Sequence, residues 1–212
     1  RVRRAALRVI SAFIRSRPEM LSTMYRRCVV APDEDEDSPG PLIARLSEHH
    51  EGVRVEVIAT VRELFKRSSL RHRALLSRAR DSGGGTEEVL RSLQQSSATR
   101  AHKLLRQRSD HRVLSDRSDV IMREVEKVLS DRKSFRSSSI VSELFLMLRE
   151  WLVALGGQMP KAGQWVTTTQ SIDRLVPRIV CSLSESNIDA KTRGTALEFL
   201  ISLVRNFFFR FF

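Results

Sequence analysis

Apolar residues recur along most of this sequence with the spacing of one face of an α-helix. The first stripe places its members three or four positions apart: Val2, Ala5, Ala6, Val9, Ile10 and Phe13. Residues at i, i+3, i+4 and i+7 lie on the same side of a helix, so such a stripe indicates an amphipathic helix. The later periodic segments also match 3.6 rather than 2 residues per repeat, which predicts an all-α protein.

Four predicted helices open with a similar phrase built around one arginine. These arginines are Arg3, Arg54, Arg136 and Arg193, and each phrase opens the second helix of a predicted pair. They are farther apart than the roughly 40 to 47 residues of HEAT and armadillo units, and we attribute the excess to loop insertions. One hairpin cannot bury its apolar stripe alone, so neighbours stack. The sequence therefore predicts a HEAT/armadillo-type α-solenoid of antiparallel helix pairs.

Interruptions of the helical pattern predict how the chain is organised. HEAT-type repeats are expected at residues 1–67 and 113–205, with an acidic loop at 31–41 in the first block. Residues 68–112 are rich in Arg and Ser and contain a run of glycines, which predicts a basic flexible insertion. Residues 206–212 form an atypical aromatic tail. Since the sequence begins at Arg1 inside a helical pattern, we expect it to be a fragment.

The net charge of +12 raises the question of nucleic-acid binding. Residues 66–112 carry 12 basic and 4 acidic side chains, so most of the excess lies in the predicted insertion. Clustered Lys and Arg are typical of phosphate binding, but no base-stacking aromatic residues are interleaved with them there. Nucleic-acid binding through the insertion is therefore kept as an alternative and is not the main hypothesis.

Sites for metals, cofactors or catalysis are not indicated. Cys28 and Cys181 lie far apart without metal-ligand spacing, which predicts no disulfide, no zinc site and a reducing compartment, the cytoplasm or the nucleus. Gly83–Gly85 lacks the preceding strand and following Lys-Ser or Lys-Thr of a phosphate-binding loop. His49 and His50 are adjacent, and adjacent residues on a helix cannot chelate one metal.

Enzymatic activity and membrane insertion are also not predicted. No nucleophile occurs in a context that suggests a partner base, so we expect no catalytic residues, no cofactor and no small-molecule substrate. The most apolar stretch, Ile140–Leu155, contains Glu143, Arg149 and Glu150 and is shorter than the roughly 20 residues of a membrane span. Trp151 falls within this stripe, which favours core packing over partner binding.

Three segments carry a resemblance to a known family. Residues 2–25 (VRRAALRVISAFIRSRPEMLSTMY), 42–65 (LIARLSEHHEGVRVEVIATVRELF) and 175–200 (LVPRIVCSLSESNIDAKTRGTALEFL) resemble the cullin-associated and neddylation-dissociated proteins, also called the TBP-interacting 120 family. The resemblance implies interior HEAT repeats of a non-catalytic scaffold. Such a scaffold wraps an unmodified cullin with its RING subunit and promotes exchange of substrate receptors, a step in SCF complex assembly and the ubiquitination pathway.

The partner-binding residues follow from this interpretation. If the helices with the arginine phrase line the concave face, their exposed positions are candidate contacts: Arg4, Arg8, Glu63, Arg67, Ser142 and Arg149. The main alternative is a HEAT solenoid of nuclear transport or a phosphatase scaffold, which would share the fold and bind another partner.

Overall fold

The regular structure of this chain is helical. The computed structural model describes residues 2–31, 38–81, 109–131, 134, 137–155, 175–177, 179–181, 183–184 and 188–207. Its named α-helices are α1 (Val2–Ser16), α2 (Leu21–Cys28), α3 (Glu51–Asp81), α4 (Ser109–Asp116), α5 (Ser118–Ser130), α6 (Ser138–Ala154) and α7 (Ala190–Phe207). These described parts contain no β-strand, so the all-α prediction is confirmed.

Shorter helical pieces complete the description. Two 3-10 turns occur, at Pro18–Met20 and at Ala44–Ser47. The described residues between 175 and 184 are also helical. Within the described ranges, no helix combines the length and the apolar character needed to cross a membrane.

Four helices pack side by side in chain order. Helix α1 packs against α3, α3 against α6, and α6 against α7. These are the helices associated with the repeated arginine phrase. We call this arrangement the helix row, and each contact between neighbouring helices a seam.

Neighbouring helices of the row run in the same direction. In the seam between α3 and α6, Arg62 lies 3.3 Å from Glu143, and Ser69 further along α3 donates to Glu150 further along α6 at 3.1 Å. Contacts that advance together along two helices mean that the helices are parallel. The contacts of the other two seams advance in the same way. They are Arg4–Glu56 and Leu7–Thr60 between α1 and α3, and Ser138–Thr192 and Phe145–Phe199 between α6 and α7.

Arg54 joins α3 to two other segments of the chain. Its side chain is only 8% exposed. Nε donates to the carbonyl oxygen of Glu48 at 2.5 Å, and Nη1 donates to Oδ2 of Asp131 at 3.0 Å and to Oγ of Ser134. Glu48 precedes α3, whereas Asp131 and Ser134 lie between α5 and α6. The guanidinium therefore holds the start of α3 against the turn that leads to the next helix of the row.

The equivalent arginine of α1 makes a related contact. Nη1 of Arg3 lies 3.5 Å from the Glu48 carboxylate, just before α3. In both cases the arginine of the repeated phrase forms an ion pair with an acidic residue that precedes the next helix of the row. The Arg3 side chain is 69% exposed, so the outer member of this series is far more solvated than Arg54.

The remaining elements pack on one another and on α3. Helix α2 contacts α3 and α4, and the turn Ala44–Ser47 contacts α3 and α5. One continuous apolar cluster links these elements to the row, and its fully buried members include Tyr25, Leu46, Phe65, Val125 and Phe145. Burial of apolar area of this kind is the main favourable contribution to folding.

Helical structure continues past the predicted start of the basic insertion. Helix α3 continues through residue 68 to Asp81, and Ser68 and Ser69 are buried. Oγ of Ser69 lies within hydrogen-bond distance of both the carbonyl oxygen of Lys66, at 2.8 Å, and the Glu150 carboxylate, at 3.1 Å, so small polar side chains fit this seam. Helix α4 begins at Ser109, before the predicted end of the insertion at residue 112. Residues 82–108 lie outside the described residues.

Two other predicted segments are described only in part. The ends of the acidic loop are joined by a bridge between Val30 and Pro39, and a Cβ at Gly40 would overlap the backbone of Val29. Asp33–Asp37 lie outside the described residues. The predicted aromatic tail begins inside α7, which includes residues 206 and 207, and residues 208–212 are outside the description.

Replacing Arg54 by alanine should destabilise the fold by about 2 kcal/mol, the loss expected for hydrogen bonds to a charged group. The loss stays below the roughly 3–5 kcal/mol of a fully buried ion pair, because Asp131 is 38% exposed. Arg3→Ala is the matched control, and its exposed ion pair should contribute about 0–1 kcal/mol. Urea unfolding measures both variants. Equal losses would contradict the anchoring role of Arg54.

The Asp189 carboxylate should make stability depend on pH. Hydrogen bonds from Ser138 and from the backbone and side chain of Thr192 lower its pKa. A lowered pKa contributes stability that is present above the ordinary value of about 3.9 and is lost as pH falls through the folded-state pKa. We therefore expect Asp189→Asn to flatten the acid limb of a plot of melting temperature against pH. An unchanged acid limb would contradict this assignment.

Candidate protein-binding surface

One face of α3 lies between its two seams. Ala59, Glu63, Lys66 and Leu70 recur at i, i+4, i+7 and i+11, so they share one side of the helix. The contacts with α1 use Glu56 and Thr60, and those with α6 use Arg62 and Ser69, which flank that side. Lys66 and Leu70 are exposed, and Ala59 and Glu63 are half-buried.

Helix α6 presents an equivalent side. Ser139, Ser142, Leu146 and Val153 lie between its contacts with α3 and those with α7. Ser139 is exposed and the other three are half-buried. We call these positions of α6, together with the four positions of α3, the open face. It combines four apolar residues with four polar ones, a composition that suits a protein interface.

Arg4 and Arg8 of the predicted contact set lie in the seam between α1 and α3. Both approach the same Glu56 carboxylate, with Nη2 of Arg4 at 3.7 Å and Nη2 of Arg8 at 2.6 Å. The side chains remain 47% and 64% exposed. Their first role is therefore to join two helices of the row, and their predicted contact with a partner stays a prediction.

Glu63 and Ser142 lie on the open face, and Arg67 lies at its border. Nε of Arg67 donates to Glu63 at 3.0 Å, an i, i+4 ion pair within α3. Arg149 instead lies in the seam between α6 and α7, where Nη1 is 3.0 Å from Glu198. The six predicted contacts therefore divide between the open face with its border and the two outer seams.

Lys66 and Leu70 are surface positions that the sequence pattern did not single out. They fall at the edge of the predicted insertion, so their common face with Ala59 and Glu63 was not recognised. The available signal was the i, i+4, i+7, i+11 spacing, which continues through the Arg- and Ser-rich run.

A cleft of about 530 Å³ opens beside the buried arginine of α3. Its lining includes Glu51, Arg54 and Asp131. Arg54 and Asp131 are paired, and Glu51 accepts a hydrogen bond from Oγ of Ser137. These charged groups therefore hold α3 against the turn before α6. Among the residues that the structure describes, no three His, Cys, Asp or Glu side chains are grouped so that they could hold a metal ion.

The core assignment of Trp151 is confirmed, since this side chain is 1% exposed within α6. Trp165, the other tryptophan of the chain, lies outside the described residues.

Comparisons of this chain with protein-family models, with curated proteins and with solved structures find no match.

Proposed function

We propose that this chain is a segment of a HEAT-type α-solenoid and acts as a non-catalytic, protein-binding scaffold. The observation that carries the proposal is the helix row, in which α1, α3, α6 and α7 pack in chain order and run parallel. Stacked repeats place equivalent helices next to one another, and the extended surface that results is what such proteins use for binding.

The two ends of the row also support a segment of a longer array. Helix α1 exposes Val2 and Val9, which are 83% and 68% accessible, on the side away from α3. Helix α7 exposes Leu197, Ile201 and Val204, each about half accessible, on the side away from α6. In a solenoid, an adjacent repeat covers a stripe of this kind.

A cullin with its RING subunit is the partner that we propose. Support comes from the resemblance of residues 2–25, 42–65 and 175–200 to the cullin-associated and neddylation-dissociated proteins. The corresponding role is regulation of SCF complex assembly and substrate-receptor exchange in the cytoplasm or nucleus. The open face supplies a mixed polar and apolar surface for such contacts.

The open face is tested by titrating a purified cullin–RING pair with Lys66→Glu/Leu70→Asp, which changes two exposed positions of α3. We expect affinity to fall about tenfold or more, because the variant places negative charge on the proposed interface. The matched control is Thr23→Asp/Arg26→Glu, which makes the same charge changes at exposed positions of α2. A similar loss in both variants would overturn the assignment of the open face.

The partner is tested by capture from cell extract, scored for cullins, nuclear-transport cargo and phosphatase subunits. Recovery of cullins that is lost in the Lys66→Glu/Leu70→Asp variant supports the proposal. Selective recovery of cargo or phosphatase subunits would replace the cullin with one of those partners. Binding of nucleic acid that weakens steeply with salt would favour the basic insertion as the functional segment.

A further inference from the structure

We draw no further inference here: the strongest candidate, the cleft of about 530 Å³ beside Arg54 at the start of α3, carries none, because its charged groups already form the contact between α3 and the turn before α6, and its lining residue Asp131 adjoins Arg132 and Lys133, which lie outside the described residues.

Discussion

The buried guanidinium of Arg54 sets the position of the elements around it. A charge with so little exposure must be paired and hydrogen-bonded, since an uncompensated buried charge is strongly unfavourable. Its partners are the Glu48 carbonyl oxygen, Asp131 and Ser134, which come from both sides of α3 along the chain. Because these bonds have fixed directions, they specify how the turn before α6 meets the start of α3. Apolar packing, which is not directional, then fills the space between them.

The seams show a division of roles between apolar and charged side chains. Fully buried residues such as Phe65 and Phe145 supply most of the favourable free energy. The ion pairs Arg8–Glu56, Arg62–Glu143 and Arg149–Glu198 are partly exposed, and pairs of this kind contribute little stability. In each pair the arginine belongs to the earlier helix and the glutamate to the later one. Because the arginine always lies on the earlier helix, these ion pairs favour one order of the helices in the row and one register between neighbouring helices.

Helical periodicity was enough to predict the fold class and the main stripes of α3, α5 and α6. In α1 it selected Val2, Val9 and Phe13 for the apolar stripe, whereas the structure exposes these residues and buries Leu7 and Ile14. It failed at Ser68, where serine and arginine weakened the apolar pattern while α3 continued, because small side chains fit the seam with α6. Side-chain partners could not be predicted either. Exposure and spacing selected Arg4, Arg8 and Arg149 as partner contacts, but each of them has a glutamate within reach on a neighbouring helix, and this depends on three-dimensional packing.

The parallel direction of the row has an electrostatic consequence. Each helix carries partial positive charge at its N-terminus, so parallel neighbours bring like partial charges to one edge and repel one another. Acidic residues lie at that edge. Glu48 precedes α3 and Glu51 is its first residue, Asp131 precedes α6, and Asp189 precedes α7. The carboxylates of Glu48 and Asp131 pair with arginines, and that of Asp189 accepts a hydrogen bond from the backbone N–H of Thr192. These carboxylates therefore also offset the repulsion of aligned dipoles.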